Sequence, residues 1–130
     1  MPQDMVQRKD KSMTENEILY TSTRDDGVRL SASEAILKGI SDDGGLFVPT
    51  RIPTLAQSLT ELSALDYRGV AYEVLRLFLT DFTKEELTDC IDGAYDEKFD
   101  TEEIVRLTEA EGDTYLELFH GKTIAFKDMA

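Results

Sequence analysis

The sequence predicts a mainly helical α+β unit, followed by a strand, a loop and the start of a helix. Capping-box spacings at Ser31 and Thr83, and apolar residues at helical spacing after Asp66, support the helical unit. The apolar run 115–119, which ends at Gly121, supports the final strand. A single strand cannot bury its own faces, so we expect it to belong to an α/β sheet whose other strands lie outside this chain.

The first predicted elements are a short strand and a short helix. Residues 18–23 are rich in β-branched and aromatic side chains, which favours a strand, and the acidic pair before Gly27 favours a turn. Ser31 and Glu34 have the spacing of a capping box, which predicts a helix that continues to about Ile40.

The next segment contains one extended piece and a second helix. Gly44 and Gly45 predict a turn, and residues 46–48 predict a buried extended piece that stops at Pro49. Thr54 is predicted to open a helix that runs to about residue 62.

Two further helices follow. Asp66 is predicted to cap a helix whose apolar face includes Val74 and Phe78. Thr83 and Glu86 form another capping-box pattern, which predicts a helix to about Gly93.

The last quarter of the chain is predicted to be extended until its end. Residues 104–107 are a strand candidate, 111–113 a turn, 115–119 a buried strand and 124–130 the first turns of a helix. These patterns predict a flexible tail over residues 1–17, a mainly helical domain over 18–112, and the start of a second domain over 113–130.

Composition excludes several classes of function. The formal net charge is −13, from 27 acidic and 14 basic residues. Nucleic-acid binding and anionic membrane binding both need a basic surface, so neither is expected. The sequence contains no secretory signal and no apolar run long enough to span a bilayer, and we expect a cytoplasmic protein.

The few sulfur and imidazole groups limit the chemistry further. Cys90 is the one cysteine, so no internal disulfide can form, and its helical surroundings predict a buried structural thiol. His120 is the one histidine, which excludes a metal site built from several His ligands, and no metal is expected. His120 could be a ligand, an acid/base group or a hydrogen-bonded loop residue, and the last interpretation is the default.

Acidic pairs and a glycine pair are each given a structural interpretation. The acidic pairs at 25–26, 42–43, 85–86 and 102–103 are expected in turns and first helical turns, where carboxylates interact favourably with backbone N–H groups. Gly44 and Gly45 could bind a phosphate through their amides, but no lysine follows them, and a tight turn is favoured.

Lys127 is the main candidate for catalysis. It follows a predicted strand, and its neighbours Ile124, Phe126 and Met129 are apolar. Apolar surroundings disfavour the ammonium form of a lysine, and a neutral amine can attack a carbonyl to form a Schiff base. The alternative is an ordinary surface lysine.

Two segments together resemble the threonine synthase family. The segment from Tyr20 to Pro49, with its Ser-Asp-Asp-Gly-Gly-Leu-Phe-Val-Pro end, is similar to the N-terminal signature of the family. Residues 116–128, Leu-Glu-Leu-Phe-His-Gly-Lys-Thr-Ile-Ala-Phe-Lys-Asp, are similar to its lysine motif. The resemblance covers Tyr20 to Ala130 and is strongest to the bacterial and fungal subgroup. One departure is Lys122, where the motif often has proline.

The resemblance implies a fold and a reaction. The family has the α/β fold of tryptophan-synthase-β-like enzymes, called fold type II, and uses pyridoxal 5'-phosphate. It converts O-phosphohomoserine and water to L-threonine and phosphate. Lys127 matches the residue that binds the cofactor covalently and moves protons. Thr123 and Lys122 are substrate-binding candidates, although a solvent-facing loop lysine is the favoured interpretation of Lys122. Thr123 is expected to fix the turn, Phe126 to pack and Asp128 to favour the helix N-terminus.

The resemblance also implies that most of the active site lies beyond Ala130. We therefore expect the chain alone to be inactive and to expose apolar residues, which could lead to self-association. Two alternatives stay open: a related phospho-lyase with another product, and a non-catalytic helical interaction or folding module.

Overall fold

The computed structural model describes residues 17–129 as a small mixed α/β unit in which helices predominate. The predicted tail at 1–17 lies outside the described residues except for Glu17. The order of elements is β1 (Tyr20–Ser22), α1 (Ala32–Lys38), β2 (Phe47–Pro49), α2 (Leu59–Leu62), α3 (Tyr67–Phe78), α4 (Lys84–Ala94), β3 (Arg106–Ala110), β4 (Asp113–Glu117) and a 3₁₀ helix at Phe126–Met129.

Local capping decides where the helices begin. Ser31 and Thr83 each accept from the backbone N–H three residues on, and the Glu at that position bonds back to the cap, as predicted. Asp66 caps α3 through the Gly69 N–H at 2.8 Å. The predicted start at Thr54 is wrong, because Ser58 and Glu61 form a third capping box and α2 begins only at Leu59.

The first sheet is a pair of short antiparallel strands. β1 pairs with β2, with Tyr20 opposite Pro49 and Ser22 opposite Phe47. The predicted burial of residues 46–48 is wrong: Leu46 is 63% exposed and Val48 37% exposed. Because this sheet has only two short strands, it can bury little of its own apolar surface, and part of that surface stays open to solvent.

The second sheet is a hairpin, and it corrects two expectations. β3 starts at Arg106 rather than at residue 104, because Ile104 has a left-handed φ of 64° and packs in the core instead. β4 is not a lone strand, because Glu111 and Gly112 both have positive φ and form a tight turn that pairs it with β3. The hairpin crosses the proposed domain boundary at 112–113, and that division stays a prediction.

The hairpin is also more exposed than expected. Leu116 is 55% exposed, so β4 is not a strand buried on both faces. Cys90 is exposed as well, which contradicts the predicted buried thiol. It lies on α4 one position before Ile91, which faces the core, and a residue one step along a helix is rotated by about 100°.

The main core lies between α3, α4 and the segment that follows α4. Ile91, Tyr95, Phe99 and Ile104 form the buried cluster, and Tyr67 packs edge-on against Tyr95 with ring centroids 4.8 Å apart. Two hydrogen bonds hold the region of β1 against the end of α3. Tyr20 Oη donates to the Phe78 carbonyl, and just outside the two elements Ile18 N donates to Thr80 Oγ1. Within residues 17–129, no helix is long and apolar enough to cross a membrane.

Truncation of Ile91 should destabilise the chain strongly. Ile91→Ala is expected to lower the free energy of unfolding by about 3 kcal/mol, since it removes buried methyl groups and leaves a cavity. Leu37→Ala on α1 is the matched control, because Leu37 is 87% exposed. Urea denaturation followed by circular dichroism measures both changes, and equal losses would show that the core is not where the structure places it.

Candidate functional site

The loop after β4 is closed by one carboxylate. Asp128 Oδ2 accepts from the backbone N–H of Thr123 at 2.9 Å and from its hydroxyl at 2.8 Å. The Ile124 N–H donates to the Gly121 carbonyl at 3.0 Å, and Asp128 N donates to Ala125 O at 3.1 Å. Thr123 therefore fixes the turn as predicted, whereas Asp128 bonds back to this turn from inside the 3₁₀ helix.

The same loop requires a glycine at position 121. Gly121 is buried, and a Cβ there would lie 2.5 Å from the Cβ of Asp128. The loop also holds Ile124 at a φ of 62°, a conformation that a β-branched residue rarely adopts. The predicted helix over 124–130 is thus limited to the short 3₁₀ turn, and Ala130 lies outside the described residues.

Lys127 lies within the 3₁₀ turn and is exposed. It makes no hydrogen bond or ion pair with any residue of 17–129. Ile124 is 73% exposed and Phe126 63% exposed, so the expected apolar enclosure of Lys127 and the expected packing of Phe126 are absent from this part of the protein. Apolar neighbours in sequence did not become apolar neighbours in space, because this loop crosses the surface.

The structure brings Lys122 and Thr123 to a shared cleft of about 160 Å³. Its other lining residues are Ala94, Lys98, Phe99 and Asp128. Lys98 Nζ already donates hydrogen bonds to the Gly93 carbonyl at 2.6 Å and to Asp96 Oδ2 at 2.5 Å. Lys127 is not among the residues that line this cleft, so the described residues do not join the three predicted site residues into one pocket.

His120 is buried and hydrogen-bonded, which confirms its default interpretation. Asp100 lies against one ring nitrogen at 2.5 Å and Glu117 against the other at 2.6 Å. Sequence reasoning missed both carboxylates. Glu117 could have been noticed from its spacing of three residues, but nothing in the sequence pairs Asp100 with a residue 20 positions away.

The glycine pair forms a turn that its own acidic neighbour fills. Gly44 has a φ of 78°, and a Cβ on Gly45 would lie 2.1 Å from Ser22 Oγ. The Gly45 N–H donates to Asp43 Oδ1 at 2.7 Å, and this bond is the main reason that the pKa of Asp43 is lowered. An amide that already binds a carboxylate is not available to a phosphate, so the turn interpretation is confirmed.

Two other acidic pairs, at 25–26 and 85–86, also serve local structure. Asp25 accepts from the Gly27 N–H at 2.8 Å, and Glu86 belongs to the capping box of α4. A larger cleft of about 480 Å³ beside α3 is lined by several acidic side chains, among them Asp66, Asp96 and Asp100. No group of three or more His, Cys, Asp or Glu side chains within 17–129 could hold a metal ion.

Comparison with known proteins identifies the family. Residues 19–95 match the family described as threonine synthase N terminus, which is more than half of the chain. The chain belongs to this threonine synthase family. It is 36% identical to threonine synthase of Schizosaccharomyces pombe over 118 residues, which cover 88% of this chain and 23% of that protein. It is 39% identical to human threonine synthase-like 2 over 115 residues, which cover 85% of this chain and 24% of that protein.

Solved structures of threonine synthase share the fold of this chain. The crystal structure of the yeast enzyme has a TM-score of 0.79 and 34% identity, and covers 88% of this chain and 24% of its own. The PLP-bound threonine synthase from Brucella melitensis has a TM-score of 0.73 and 33% identity, and the match covers 85% of this chain and 24% of that structure. The chain thus spans about a quarter of the length of these relatives. The fungal and bacterial relatives agree with the predicted subgroup.

Loss of the Asp128 carboxylate should open the loop. Asp128→Ala removes the acceptor of both Thr123 bonds, so the Thr123 amide should exchange with solvent about tenfold faster. Asp128→Asn is the control, since its amide oxygen can still accept. Hydrogen exchange read by mass spectrometry on the loop peptide distinguishes the two variants, and equal exchange in wild type and Asp128→Ala would exclude the closing role of Asp128.

Proposed function

We propose that this chain forms the N-terminal part of a pyridoxal-phosphate-dependent lyase of the threonine synthase type. The reaction converts O-phosphohomoserine and water to L-threonine and phosphate. The observation that carries the proposal is membership of the threonine synthase family over residues 19–95, together with the exposed amine of Lys127 in the loop after β4. The similar Brucella melitensis structure is described as PLP-bound, which supports the cofactor.

The chemistry of the available groups fits covalent attachment of the cofactor at Lys127. Its amine is exposed and unpaired within residues 17–129, so no ion pair has to break before it reacts with an aldehyde. Pyridoxal phosphate, when bound, supplies an electron sink that stabilises carbanions. Enclosure by the rest of the protein would remove water from around Lys127, favour the neutral amine and allow it to move protons.

The remaining residues of the loop are proposed to position and to bind. The Thr123–Asp128 hydrogen bonds hold the turn that presents Lys127. Lys122 and Thr123 line the small cleft and are the proposed substrate contacts. The Lys122 ammonium can donate to a substrate phosphate, whereas the Thr123 hydroxyl would have to exchange its hydrogen bond to Asp128 for one to the substrate.

The proposal extends to the architecture of the whole protein. We infer a fold type II α/β enzyme, with a mainly helical domain over 18–112 and a cofactor-binding domain that begins near residue 113. The acidic charge supports a cytoplasmic protein with a small-molecule substrate and without nucleic-acid or membrane partners. By itself, the chain is expected to be inactive, and its exposed apolar residues support self-association.

Replacement of Lys127 should abolish covalent attachment of the cofactor. In the full-length protein, borohydride reduction after incubation with pyridoxal phosphate is expected to label the wild-type peptide that contains Lys127. Before reduction, the wild-type protein should absorb visible light through the cofactor bound at Lys127. Lys127→Ala should lack this absorbance and, after reduction, the label, whereas Lys84→Ala, an exposed control on α4, should keep both. Peptide mass spectrometry locates the label, and retention of yellow colour and activity in Lys127→Ala would refute the assignment.

A second candidate is a related phospho-lyase with another product. This alternative stays open because the chain is about equally similar to human threonine synthase-like 2, at 39% identity, and to the fission yeast threonine synthase, at 36%. Both candidates release phosphate from O-phosphohomoserine, so the amino-acid product has to be measured. Chromatography of the products separates them: stoichiometric L-threonine supports the first candidate, and phosphate release without threonine supports the second.

A further inference from the structure

The imidazole of His120 lies between two carboxylates. Its Nδ1 is 2.5 Å from Asp100 Oδ1, its Nε2 is 2.6 Å from Glu117 Oε2, and the side chain is only 8% exposed. A neutral imidazole carries one N–H, so its other nitrogen would direct a lone pair at a carboxylate oxygen. Only the imidazolium can donate to both carboxylates, and the geometry therefore fits a protonated ring.

The electrostatics agree with this protonation state. Hydrogen bonds to Glu117 and then to Asp100 raise the pKa of His120, against the opposing effect of burial. The Thr108 hydroxyl, followed by His120, lowers the pKa of Glu117. His120 and Glu117 thus each stabilise the charged form of the other.

The same contacts connect two parts of the fold. Asp100 follows Phe99 of the core cluster, and its backbone N–H also donates to the His120 carbonyl at 3.1 Å. Glu117 ends β4, where its second oxygen accepts from Thr108 on β3 at 2.6 Å. His120 therefore ties the hairpin to the helical core immediately before Gly121, where the loop that carries Lys127 begins.

We propose that His120, held as an imidazolium between Asp100 and Glu117, is a latch that positions the loop from Gly121 to Asp128. His120 is a positioning residue and does not contact the reacting atoms. The link from this latch to Lys127 chemistry rests on the proposed function, whereas the latch itself does not.

The latch has a defined pH window. The groups that face His120 are Asp100 from the segment after α4, Glu117 from β4 and the ring of Phe119, 4.5 Å away, while Arg106 on β3 acts through its charge on Glu117. Because folding raises the pKa of His120, its protonation stabilises the folded state. This stabilisation is fully present below the ordinary pKa of histidine and is lost as pH rises through the higher pKa of the folded state. Because folding lowers the pKa of Glu117, its ionised carboxylate also stabilises the folded state, and this stabilisation is lost as pH falls through the lowered pKa.

The first test is a nuclear magnetic resonance titration of the chain, in which His120 is the one histidine. The proposal expects a midpoint above the value of about 6.5 for an unpaired histidine. Asp100→Asn and Glu117→Gln should each lower this midpoint. Glu109→Gln, an exposed acidic neighbour on β3, is the control and should leave it unchanged. A midpoint at or below that of an unpaired histidine overturns the proposal, and so does a midpoint that stays the same in Asp100→Asn and Glu117→Gln.

The second test measures the loop itself. After correction for intrinsic rates, hydrogen exchange in peptides from 121–128 should become about tenfold faster as pH rises through the His120 midpoint. His120→Gln should be fast throughout and lack this transition, which a purely structural role would not produce. The wild-type titration needs no variant, so a poorly folded substitution does not remove the test. Protection that stays constant across the midpoint contradicts the latch.

The third test links the latch to Lys127. In the full-length protein, labelling of Lys127 by pyridoxal phosphate and borohydride should be about tenfold slower in Asp100→Asn than in wild type. Equal labelling rates would refute the effect on Lys127. The first two tests require neither cofactor nor turnover, so absence of any Lys127 label in wild type would refute the proposed function and leave the latch to be decided by them.

Discussion

Tyr95 provides the contact on which the rest of the described structure depends. Its ring packs against Tyr67 of α3 and Phe99 after α4, and its hydroxyl donates to the Met129 carbonyl at 3.1 Å. One side chain thus joins two helices to the far end of the loop that contains Lys127. His120 fixes the near end, so the loop is held at both ends by the same helical core.

Carboxylates do much of the local work in this acidic chain. Asp66 and the three capping-box glutamates satisfy backbone N–H groups at helix starts, and Asp43 and Asp128 satisfy those of turns. Free backbone donors at these places would otherwise depend on water. Part of the net charge of −13 therefore comes from carboxylates that hold helix starts and turns in place.

The sequence predicted those features that short-range spacing determines. The caps at Ser31, Asp66 and Thr83 and the turns at Gly27 and Gly112 depend on neighbours within a few residues. Burial was predicted poorly, because apolar periodicity cannot reveal whether another element covers a face, as residues 46–48 and Cys90 demonstrate. Ile104 looked like a strand residue but adopts a left-handed conformation in the core. The family motif identified Lys127, whereas the Asp100–His120 contact needed the fold.

The close approach of Asp128 to Gly121 has a consequence for natural variation. Every single-base change in a glycine codon that yields another amino acid introduces a side chain, and any side chain at this position would collide with Asp128. A smaller residue at 128 would relieve the collision but would abandon both Thr123 bonds. No single substitution at Gly121 avoids this collision, whereas Asp128→Asn keeps an acceptor, so populations should carry fewer missense alleles at Gly121 than in the exposed hairpin beside it.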